Sequence, residues 1–84
     1  MNNIIIKLAK EHGPRLISRS QAKQVTANLD KFTEITFDFK EIKIVGQGFV
    51  DQIFRVFKNQ HPEIKLNYIN SNKDVEFMIK RGIA

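Results

Sequence analysis

Two histidines, two isolated aspartates and one glycine-flanked turn are the residues whose chemistry deserves weighing first. His12 and His61 are the only histidines; they stand far apart, each beside a proline turn (Gly13-Pro14 and Pro62). Neither belongs to a His-x-x-x-His or similar spacing, and the chain has no cysteine. Metal sites depend on closely spaced ligands, so no metal centre is expected. Asp38 lies on the polar side of a strand pattern, and Asp51 lies just past Gly46-Gln47-Gly48. Both can fall near the C-terminal edge of a sheet, where α/β proteins usually bind ligands. Two carboxylates with no neighbouring nucleophile or histidine do not form a catalytic set. We therefore expect no enzyme and no cofactor. Gly46-Gln47-Gly48 can present backbone N–H groups to an anion. It lacks the Gly-Lys-Ser/Thr of a phosphate loop and the third glycine of a dinucleotide fingerprint. A tight strand-to-helix turn is its simpler reading.

The elements that position these residues follow from periodicity. Ile35, Phe37 and Phe39 alternate with Glu34, Thr36 and Asp38, the period-two pattern of a strand with one apolar face, over 33–39. The two glycines then permit backbone conformations with φ > 0, and a helix is predicted from Gly48 or Phe49 to about Asn59. Its apolar face is Phe49, Val50, Ile53, Phe54 and Phe57. Asp51 suits the positive end of the helix dipole and Lys58 the negative end, and Pro62 stops the helix.

Upstream, Ile4-Ile5-Ile6 favours a strand. Gly13-Pro14 is turn chemistry, so residues 3–18 read as a β-hairpin, or alternatively as a strand followed by a short helix stopped by Gly13. Ser18 with Gln21 forms a capping-box pattern, and Ala22, Val25, Leu29 and Phe32 share one helical face, predicting a helix from about Arg19 to Lys31. Downstream, Ile64, Leu66 and Tyr68 alternate as a third strand. Ser71 is a candidate cap for a last helix with the stripe Val75, Met78, Ile79, and Gly82 is a candidate left-handed stop. Phe77 falls beside that stripe; exposed, it would be an interaction residue. The order β-(β)-α-β-α-β-α predicts a small α/β layer, a mixed sheet with helices packed against it and at least one parallel pairing.

The chain of 84 residues reads as a single domain, 1–84, able to bury one modest core. No apolar run approaches the roughly 18 residues that span a bilayer, and the start of the chain lacks a signal-peptide pattern. A soluble cytoplasmic protein is expected. Lys and Arg number 14 against 9 Asp and Glu, a formal charge of +5. The excess favours acidic partners and leaves nucleic-acid or anionic-ligand binding as the alternative function. The basic residues are dispersed along the chain, as on an ordinary solvated surface.

Several motifs in order carry a resemblance. The stretch from Ile35 to Phe54, with its apolar strand, short apolar loop, glycine turn and helix, resembles the central segment of STAS domains, the family of bacterial anti-sigma factor antagonists and sulfate-transporter tails. The stretch from Asn67 to Gly82 is similar to that family's next strand and helix. Ser18-Arg-Ser-Gln-Ala22, Asp38-Phe39 and Gly48-Phe-Val-Asp51 look most like the STAS-like domains of unassigned function. The resemblance implies a small regulatory protein–protein interaction module that docks on an ATP-binding, kinase-like or other signalling partner. Its surface would be the 45–58 segment: Gly46, Gln47 and Gly48 shape the turn, and Asp51, Gln52 and Arg55 are expected as exposed polar contacts. Phospho-switch members carry a serine at this helix start. Here no Ser or Thr occurs from Gly46 to Asp51, so the serine switch is not expected.

Overall fold

A computed structural model describes residues 2–83. In chain order the elements are β1 (Asn3–Lys7), α1 (Leu8–His12), β2 (Arg15–Leu16), α2 (Arg19–Thr26), β3 (Glu34–Asp38), β4 (Ile44–Val45), the long helix α3 over residues 47–60, β5 (Lys65–Ile69) and α4 (Lys73–Ile83). β1, β3 and β5 form a three-stranded sheet with β3 in the centre, and β2 and β4 form a two-stranded one. All three pairings among the described residues are parallel. The chain is thus α/β, built on parallel strands.

The hairpin reading of residues 3–18 is corrected. β1 pairs with β3, not with β2, so the antiparallel member of a mixed sheet is absent among the described residues. The alternative forms instead: α1 follows β1 directly, and Gly13 ends it at φ 80°, with its N–H donating to the Ala9 carbonyl. Only glycine takes that conformation without steric cost.

Parallel crossovers running from β1 to β3 to β5 place their helices on one face. The inward side chains Ile6, Ile35 and Phe37 join Val25, Phe49, Ile53, Phe57, Val75 and Ile79 in one buried cluster. The opposite face carries Glu34, Thr36, Asp38 and Asn67, with Ile5 and Ile69 exposed among them. Asn67 Nδ2 donates to Glu34 Oε2 at 2.7 Å, and at longer range to Thr36 Oγ1, so the uncovered face is stabilised by cross-strand hydrogen bonds.

The helix ends carry local signals. Ser18 and Gln21 form the full capping box at the start of α2, satisfying otherwise unpaired N–H groups. The helix closes at Thr26, short of Lys31, because Asn28 takes a left-handed conformation at φ 66°, which asparagine tolerates better than most residues. Leu29 is still buried and Phe32 still packs on the core. At α4 the cap is Asn72 rather than Ser71: Asn72 Oδ1 accepts the Val75 N–H at 2.8 Å, and its amide donates to the Ile42 carbonyl. One side chain thereby starts the helix and fixes the loop before β4.

The hydrogen bonding of α3 changes along its length. Residues Gln47–Asp51 and Lys58–Gln60 are α-helical, whereas Gln52–Phe57 are π-helical. The i→i+5 pattern widens the turn and shifts which side chains face inward. Phe57 is buried. Phe54 is only partly so, lying edge-on to Phe37 and Tyr68 with centroids 6.0 Å from each.

Candidate functional site

Neither glycine of the turn takes an unusual dihedral, and Gly46 acts through close approach. Gly46 has φ −103°. A Cβ there would lie 2.5 Å from the carbonyl oxygen of Ile17, so the β2–α2 connection can pass over the start of α3 only if this residue is glycine. Gly48 sits inside the first helical turn, and a Cβ there would make ordinary contact at 3.5 Å with the Arg19 backbone. Gly46 N–H donates to Leu16 O and Phe49 N–H to Ile17 O. The starts of α2 and α3 are thus fixed side by side.

This placement brings Arg19, at the first position of α2, against Asp51 on α3. A cation in the first turn of a helix opposes the helix dipole, and the Asp51 carboxylate compensates it. Arg19 Nη1 donates to Asp51 Oδ2 at 2.6 Å. Arg55, one turn further along α3, donates to the same carboxylate in a two-pronged arrangement, Nε to Oδ1 at 2.5 Å and Nη2 to Oδ2 at 2.8 Å. Hydrogen bonds from Arg55 first, and then from Arg19, hold the Asp51 carboxyl well below the usual carboxylate range, and Asp51 in turn raises the pKa of Arg55. The constellation is partly exposed: the Arg19 and Arg55 side chains are 50% and 57% accessible and that of Asp51 is 25%.

Arg19, Gln47, Asp51 and Arg55 line an open cleft of about 590 Å³, closed on its far side by Met78, Arg81 and Gly82 of α4. Gly82 is helical with an ordinary φ, so it is not the left-handed stop read from the sequence. A Cβ there would collide with Cγ1 of the buried Val50, so glycine lets α4 approach α3.

Of the residues expected at the surface, Gln47, Gly48, Asp51 and Arg55 converge on this cleft. Gly46 lies beneath it against Ile17. Gln52 is corrected: it is 9% exposed and buried, on the side of α3 that faces Lys23 and Thr26 of α2. Arg19 and Arg81 were not anticipated. The uncompensated cation at the first position of α2 was the available signal for Arg19; nothing in the sequence pattern marked Arg81.

Asp38 and Asp51 do not come together. Asp38 lies at the C-terminal edge of the sheet in a second cleft with Lys7, Lys10 and Lys40. Its carboxylate accepts from Asn70 Nδ2 and the Lys40 N–H, both at 3.0 Å, and these bonds lower its pKa. An aspartate at the end of a strand is thus explained as a tie between the β3 and β5 ends. His61 packs against Phe57 at 4.7 Å between centroids, and His12 Nε2 lies 3.9 Å from Glu11 Oε1. No group of three or more potential metal ligands occurs among the described residues.

A family model described as STAS-like domain of unknown function (DUF4325) matches residues 21–76. The chain belongs to this family. The match runs from α2 into α4 and includes the whole of α3 with Asp51 and Arg55. The resemblance carried by the strand, glycine turn and helix is thereby established, and the α/β architecture agrees with it. Comparison with curated proteins gives no match, and comparison with solved structures gives none. No helix of this STAS-like domain is long and apolar enough to cross a membrane among the described residues.

Proposed function

We propose that this STAS-like domain is a regulatory docking module. It binds a signalling protein, an ATP-binding, kinase-like regulator, across the cleft between the starts of α2 and α3 and the side of α4. The observation that carries this reading is the fixed Arg19–Asp51–Arg55 constellation at an exposed surface. Charge-assisted, two-pronged hydrogen bonds hold these side chains in one geometry, so little conformational freedom remains to be lost on binding. Family membership supports a regulatory role, and the glycine turn lies where the resemblance locates docking.

The module works without a serine switch in this turn, since residues 46–51 contain no hydroxyl side chain. It is not an enzyme in this reading. A carboxylate with so low a pKa is a poor general base near neutral pH, and its oxygens are already engaged by two guanidinium groups. Domain and partner meet in the cytoplasm.

The test is capture of the regulator by the wild-type domain and by Gln47→Arg. Gln47 is exposed and lines the cleft, so the variant should keep its melting temperature and lose the partner. Equal capture by both proteins would reject the proposed surface.

A further inference from the structure

The same face also specifies the chemistry of what docks there, an inference that rests on the docking reading. Three arginines, Arg19, Arg55 and Arg81, share the cleft with a single acid, Asp51. Arg19 commits one donor to that acid and Arg55 commits two, out of the five that a guanidinium carries. The Arg81 guanidinium lies 5.7 Å from the centre of the Phe77 ring. Burying such cations under a neutral surface would be costly, since a desolvated charge requires a partner.

Beside the cations is an apolar strip. Met78 borders both the arginine cleft and a neighbouring shallow groove lined by Ile44, Val45 and Phe77 together with Lys43 and Asp74. Phe77 is 61% exposed and Ile44 42%. Two accessible apolar side chains joined through Met78 to three arginines have the composition of a binding hot spot, which favours aromatic residues and arginine.

We infer that the docking element of the partner is an acidic protein segment with a large apolar side chain next to its Asp or Glu residues. The carboxylates pair with Arg19, Arg55 and Arg81, and the apolar side chain seats on Phe77, Met78 and Ile44. One observation favours a protein over a nucleic acid: the adjoining groove adds the apolar side chains of Ile44, Phe77 and Met78 to the arginine cleft, and its lining cation, Lys43, is accompanied by Asp74.

A random peptide library displayed on phage and panned on the wild-type domain tests this. The enriched peptides should carry Asp or Glu beside Phe, Leu, Ile or Trp. The strongest, made synthetically, should bind about tenfold more weakly to Arg81→Gln and to Phe77→Ala, each about 1.4 kcal/mol. Both positions are exposed, and unchanged melting curves confirm that the variants fold. Neutral or basic enriched peptides, no enrichment, or affinities unmoved by both substitutions would overturn the inference. So would a single-stranded oligonucleotide that binds more tightly than any peptide and is lost in Arg81→Gln. The docking reading can outlive these failures: it survives if neutral peptides enriched on the wild type lose binding to Gln47→Arg, and fails if they do not.

Discussion

Arg19 Nη1 lies 2.6 Å from Asp51 Oδ2, joining the first turn of α2 to α3 across 32 positions of sequence. With Arg55 on the same carboxylate, this pair makes the turn between β4 and α3 a rigid charged feature. Its response to acid follows from linkage. Asp51 has a folded-state pKa below the unfolded value of about 3.9. A depressed carboxylate contributes stability that is complete above the unfolded pKa and is lost as pH falls through the folded one. Asp51→Asn should therefore be less stable than wild type at pH 7, and the difference should narrow at pH 3. Urea unfolding at the two pH values measures it; a gap that persists unchanged in acid would mean the charge on Asp51 contributes nothing. Asp38, lowered by Asn70 and Lys40, adds to the acid sensitivity of both proteins alike.

The two glycines of the turn should behave oppositely. Gly46→Ala drives a methyl into the Ile17 carbonyl, and overpacking against backbone costs about 1–3 kcal/mol. Gly48→Ala meets only ordinary contacts inside a helix, where alanine is favoured over glycine by about 1 kcal/mol. Thermal melts should show Gly46→Ala falling and Gly48→Ala holding or rising. The reverse order would show that the approach of Ile17 to α3 is wrongly placed.

The widened turn of α3 predicts an order among core substitutions. Phe57→Ala removes a side chain that is 5% exposed and should cost about 3–5 kcal/mol, a large share of the stability of so small a domain. Phe54→Ala, at the margin of the core, should cost less. Gln52→Ala should also lower stability, as an exposed residue would not. Guanidinium midpoints for the three variants check this; equal losses for Phe54 and Phe57 would restore a regular α-helical face.

These contrasts show where sequence reasoning reached. The strand at Glu34–Asp38 was legible because its alternation is strict and one face is buried. The Ser18–Gln21 capping box was legible because both partners lie within one turn. The pairing of β1 was not, because Ile4-Ile5-Ile6 identifies a strand without naming its neighbour, and β2 is only two residues long. Gln52 is more buried and Phe54 less buried than a wheel drawn at 3.6 residues per turn predicts, since that wheel assumes a regular α-helix and Gln52–Phe57 are π-helical. Gly82 was readable as a special position but not for its cause, the contact with Val50. At the candidate site, Gln47, Asp51 and Arg55 were legible as neighbours on one segment. Arg19 and Arg81 come from distant segments, and only the fold brings them there.

Site-specific photo-cross-linking in the cell tests the central claim most directly. A photo-reactive side chain placed at Gln47 lies in the arginine cleft, and one placed at Asn67 lies on the uncovered face of the sheet. The docking account predicts an adduct with a second protein from Gln47 and none from Asn67. Adducts from Asn67 alone, or from neither position, would contradict it.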